Sequence, residues 1–185
     1  MKRKYEKIAF VGGLLIDGTG APAVKNSLVL VDEGKIVYAG ANDRPYEGYE
    51  VRDITGKTIM PGLVDSHLHF CGNLTGNDTE WVTEPNDQKT VVAVQQAHDC
   101  LESGITTVGE LHMFVEKVGI SEMDTIVAAT SNGAKVLRVY DKTGSLEAGK
   151  SADLLIINGN PLENIRAIAQ DNMELIMKEG EIVRR

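Results

Sequence analysis

The chain has 185 residues, 42% of them hydrophobic and 25% charged, with a formal net charge of −8. That length suits one domain, or two small ones, with room for a sizeable core. The acidic balance leaves no broad basic face, so neither nucleic acid nor an anionic membrane surface is an expected partner. No run reaches the ~18 apolar residues of a membrane-spanning helix. Two cysteines, Cys71 and Cys100, make no disulfide framework and read as free thiols of a reducing, cytoplasmic setting. The start of the chain offers Lys2-Arg3-Lys4 and an apolar run, but Gly12-Gly13 and Asp17-Gly18 break that run into a strand and turn, against a secretion leader.

Residues 5 to about 60 predict short strands with glycine turns. Ile8 to Ile16 is the first. Ser27–Val31 and Lys35–Ala39 flank Asp32-Glu33-Gly34 as a hairpin, and Glu50–Ile54 and Lys57–Met60 flank Thr55-Gly56 as a second. From Pro61 the pattern changes. Leu63 to His69 reads as a strand buried on both faces, Gln88 to Ser103 as a helix, and Ile105–Val108 as another buried strand. That is the βαβ signature of a parallel sheet. Leu111 to Val118 predicts a short amphipathic helix ending at Gly119. Ser121 caps the next, which Asn132-Gly133 closes. The tail returns to β: Asp153–Asn158, then Leu175–Lys178 and Glu181–Arg184 around Glu179-Gly180. With β first and last and α/β between, the two β ends are expected to pack into one composite layer.

The chemistry-bearing motif is Met60-Pro61-Gly62-Leu63-Val64-Asp65-Ser66-His67-Leu68-His69. Strand side chains alternate, so His67 and His69 point the same way and offer two imidazoles to a divalent metal. Asp65 shares their side; it either orients a histidine or plays a structural part. Cys71 reads as a buried small side chain in preference to a third ligand. His98 and His112 fall in helical patterns, and Lys135 lies near a helix end; none reads as a ligand.

Five segments stand out together: Leu15-Ile16-Asp17-Gly18-Thr19-Gly20, Gly56 through His69, Gly104-Ile105-Thr106-Thr107-Val108, Ala128 through Ala134, and Gly144-Ser145-Leu146-Glu147-Ala148-Gly149-Lys150-Ser151-Ala152-Asp153-Leu154. In this order they resemble the amidohydrolase superfamily, and look most like its imidazolonepropionase-related and Xaa-Pro-dipeptidase-like branch. The resemblance implies a (β/α)8 barrel carrying a small β-sandwich built from both termini, and metal-dependent hydrolysis of amide or related C–N bonds. By position it gives His67 and His69 the role of metal ligands, zinc foremost, and implies a small-molecule or dipeptide-like substrate.

The resemblance is also incomplete. A full barrel takes about 200 to 250 residues. Gly62 to Gly133 spans about seventy, enough for roughly two βα units. Up to about Gly109 the chain follows the first two barrel strands; from about Glu110 it resembles the helix after the eighth. The middle-strand lysine, the two later histidines and the final aspartate of the family have no counterpart. The expected fold is therefore mixed α+β and α/β. Residues 1–60 and 141–185 make a composite, urease-alpha-like sandwich, and 61–140 a two-strand remnant of a TIM barrel. The expected protein is an amidohydrolase with an incomplete site, weak or inactive alone. Its rivals are a non-enzymatic interaction module, and a hydrolase completed by a partner or by self-association through open sheet edges.

Overall fold

A computed structural model describes residues 7–64, 111 and 114–184. Among the described residues, nine strands lie in two sheets. The first sheet has the order β4-β3-β1-β5, from Lys35–Ala41 (β4), Ser27–Asp32 (β3), Ile8–Val11 (β1) and Glu50–Asp53 (β5). The second runs Leu14–Leu15 (β2), Lys57–Pro61 (β6), Leu154–Asn158 (β7), Met173–Lys178 (β8) and Glu181–Arg184 (β9), in that order. Strands from the two ends of the chain thus share one sheet, through antiparallel β6–β7 pairing.

Alternation along β7 explains the layering. Leu154 and Ile156 join Phe10, Val29 and Ile59 in a core between the sheets, while Leu155 and Ile157 join Met60, Leu63 and Ile126 in a second core. The middle sheet is apolar on both faces and needs a cover on each. A helical run supplies the second cover: Glu122–Val127 (α1), a π-turn over Ala128–Asn132, and Gly133–Val136 (α2). Ser121 caps this run as its sequence predicts, its hydroxyl accepting the Asp124 N–H at 3.1 Å. Ser121→Ala should cost about 1 kcal/mol, the usual worth of an N-cap, readable as a lower urea midpoint.

Three sequence expectations change. Ile8 to Ile16 is not one strand. Gly12 adopts φ +91° and breaks it, so β1 stays in the first sheet and β2 enters the second. The segments 50–54 and 57–61 turn at Thr55-Gly56 but do not form a hairpin; β5 pairs in parallel with β1, and β6 with β2. The reason is local. A two-residue hairpin turn needs positive φ at its first residue in type II′ and at both residues in type I′. Glu33-Gly34 and Glu179-Gly180 supply it, and their hairpins form; in the other pair only Gly56 does, beside a β-branched threonine. Finally, Gly133 does not close the helix. It sits inside with φ −55°, and α2 follows.

The predicted strands at 63–69 and 105–108, the helix 88–103, and with them the barrel remnant, lie outside the described residues apart from Leu63 and Val64. No closed barrel occurs among the described residues.

Candidate functional site

The chain approaches its histidine motif along β6, and every step of that approach is fixed. Pro61 ends the strand opposite Leu154 and packs so closely on Gly18 that a Cβ there would lie 2.7 Å from its ring. The Gly62 N–H donates to the Asp153 carbonyl at 3.0 Å. Leu63 is buried in the second core. The Val64 N–H donates to the Ala129 carbonyl in the π-turn at 2.8 Å. Asp65, His67 and His69 follow directly and lie outside the described residues, as do Cys71, His98, Cys100 and His112.

Asp153, read from the sequence as a strand start and as part of a family-like segment, is the main polar joint beneath this approach. Its carboxylate is 7% exposed and receives four donors: Thr143 Oγ1 at 2.7 Å, Lys178 Nζ at 2.7 Å, the Glu179 N–H at 2.7 Å and Ser151 Oγ at 3.1 Å. Burial works against the charge, but Lys178, the Glu179 N–H and Thr143 outweigh it and hold the carboxyl below its ordinary range. A carboxylate so fully bonded is a poor proton acceptor, so Asp153 reads as a clamp and not as a general base. The signal in the sequence was a single acid standing before the apolar run Leu154–Ile157.

A second cluster lies on the same segment. Lys150 Nζ meets Glu147 Oε2 at 2.7 Å and Ser145 Oγ at 2.6 Å, and stands 3.4 Å from the centre of the Tyr140 ring. Lys150, then Ser145, hold the Glu147 carboxyl below its ordinary value. Ser145 is 2% exposed and cannot meet a substrate, so this group pins the loop between α2 and β7. Lys135 is exposed, bonded to Asn132 Oδ1 at 3.3 Å and over the Tyr140 ring. Among the described residues, no three His, Cys, Asp or Glu side chains are grouped to hold a metal ion.

The model of the amidohydrolase family matches residues 58–114 and 110–183. The chain belongs to this family. The amidohydrolase pattern thus covers most of β6, the histidine motif and the C-terminal half through residue 183, in two segments that meet at 110–114. Imidazolonepropionase of Staphylococcus aureus is 48% identical over 47 residues, which are 25% of this chain and 11% of that protein. The match therefore spans about a tenth of the length of the curated relatives. Among solved structures, A. niger ochratoxinase superposes with a TM-score of 0.87 at 11% identity, covering 98% of this chain and 96% of that one. A prolidase complexed with N-methylphosphonate-L-proline gives 0.77 at 12% identity, over 97% and 100%. At these identities the likeness is one of fold. Amidohydrolases are generally metal-dependent hydrolases. No helix among the described residues is long and apolar enough to cross a membrane.

Proposed function

We propose that this chain is an internally shortened amidohydrolase that keeps the family's first two metal ligands and lacks the rest of the site. The observation that carries this is the family match in two segments meeting at 110–114. The domain division proposed is 1–60 with 141–185 as composite sandwich, and 61–140 as barrel remnant. It is supported by the middle sheet, which draws strands from both outer stretches.

In this reading His67 and His69 hold a divalent ion, zinc foremost, and Asp65 orients one imidazole. The donor chemistry suits zinc, but a catalytic zinc takes three protein ligands and an open position. Two imidazoles fall short of that, and the described residues hold no group of three His, Cys, Asp or Glu side chains of their own. A bound ion would supply Lewis-acid activation of water; with two ligands, hydrolysis by the single chain is weak or absent. The substrate class proposed is a dipeptide-like or N-acyl amide. The fold likeness to a prolidase complexed with N-methylphosphonate-L-proline supports it.

A second reading has its own support. Among the described residues, the core between the sheets draws on residues 8–59 and 146–177, with Ile182 packed against it, which supports a sandwich built from both ends of the chain. Used as an interaction module, it would bind its partner without metal.

Elemental analysis of the purified chain and of the variant His67→Ala/His69→Ala, with solution mass, tests these readings. The expected result is substoichiometric zinc that dialysis removes, none in the double variant, and no turnover by the monomer. One zinc per monomer surviving dialysis would overturn the incomplete site. Equal zinc in both proteins would remove the ligand assignment, and turnover by a defined oligomer would move the reading to a site completed by assembly.

A further inference from the structure

The π-turn at Ala128–Asn132 stands where the chain leaves β6. In a regular α-helix the Gly133 N–H would bond the Ala129 carbonyl. Here it bonds Ala128 and Thr130 instead. The carbonyl of Ala129 is thereby left for the Val64 N–H, at 2.8 Å. Gly133 completes the contact. A Cβ on it would fall 2.5 Å from the Val64 carbonyl oxygen and 3.3 Å from the Val64 Cβ. Real Cβ atoms do not approach oxygen so closely, so any side chain at 133 must push Val64 or the helix away. Gly133 has an ordinary helical φ of −55°, and a glycine there costs the helix about 1 kcal/mol relative to alanine. Its place is therefore explained by this contact and not by backbone conformation. π-turns are rare, lose regular hydrogen bonding, and gather at functional sites.

We propose that the π-turn and Gly133 form a clasp that positions the chain entering residue 65, making Gly133 a positioning residue for the histidine stretch. The clasp couples the C-terminal helical run to the start of that stretch. Its functional side rests on the metal reading above; its structural side does not.

Gly133→Ala in the full chain tests it, with Ser121→Ala as the matched control, since the latter weakens the same helical run without touching Val64. Amide hydrogen exchange is the first readout. In the wild type the Val64 N–H should exchange as slowly as the amides of the helical run. In Gly133→Ala it should exchange about tenfold faster or more relative to those amides, while in Ser121→Ala all should quicken together. Zinc affinity, by titration against a chromophoric chelator, is the second. It should fall about tenfold in Gly133→Ala, the scale seen when support of a ligand is lost, and hold in Ser121→Ala. A folded Gly133→Ala chain with Val64 still protected overturns the clasp. So does fast exchange of Val64 in the wild type, a test that stands even where the variant fails to fold. Loss of Val64 protection with unchanged zinc affinity overturns the positioning role. A wild type that takes up no zinc overturns the metal reading alone, because the exchange readout is independent of it.

Discussion

Asp153→Ala is expected to lower stability by about 3 kcal/mol, near the lower end of what removing one member of a buried ion pair costs. The lower end applies because Lys178 is 39% exposed and recovers water when its partner goes. The Glu179 N–H and the Thr143 hydroxyl are less able to do so, and each loses an acceptor 2.7 Å away. Asp153→Asn keeps the shape and one acceptor oxygen and should cost less, about 1 to 2 kcal/mol, as the loss of a charged hydrogen bond does. The pH dependence separates charge from shape. The folded carboxyl titrates below its ordinary value, so its charge stabilises fully above the unfolded pKa of about 3.9. That contribution is lost as pH falls through the depressed folded pKa. Urea unfolding of wild type and Asp153→Asn should therefore differ by a constant amount from pH 7 to about 5 and converge below about pH 4. A gap that persists undiminished to about pH 2 would mean that the ionised carboxylate contributes nothing.

That clamp also marks where reading the sequence stops. The hairpins at 27–41 and 173–184 were legible because a two-residue turn with its own conformational preference decides each one. Glu33-Gly34 and Glu179-Gly180 carry that decision within four residues. The partners of β5 and β6 were not legible, because their neighbours β1 and β2 lie some forty residues earlier and only the fold chooses between them. Gly133 misled for a related reason. Asn-Gly after an apolar helix is an ordinary stop signal, yet this glycine answers to Val64, far off in sequence. Asp153 draws its donors from 143, 151, 178 and 179. For the histidine motif, residue types alone carry the expectation of a metal pair, and its side chains lie outside the described residues. The described structure adds the fixed backbone through Val64 that leads to it.

The second large effect is expected at Gly180. Its φ is +79° and an added Cβ would lie 2.4 Å from the Gly34 Cα. Here the turns of the β3–β4 and β8–β9 hairpins meet back to back. An alanine with left-handed φ costs about 1 to 2 kcal/mol, and forcing atoms into a filled contact adds about 1 to 3. The neighbour here is backbone and cannot rotate aside. Gly180→Ala should therefore cost about 3 kcal/mol. Gly56→Ala is the control, since Gly56 has the same φ of +79° and open space around its Cα; only the conformational share, about 1 to 2 kcal/mol, should appear there. Equal shifts in thermal midpoint for the two variants would show that the turn-to-turn contact carries no weight. A larger shift at Gly180 has a further consequence. The Gly180 N–H donates to the Ala152 carbonyl, and the Ala152 N–H to Gly34, so parting the turns pulls on the residue before Asp153. Asp153 in turn holds Gly62 through its carbonyl. Gly180→Ala should then loosen the Gly62 amide as well, visible as faster hydrogen exchange there, whereas Gly56→Ala should leave the protection of Gly62 relative to β7 unchanged.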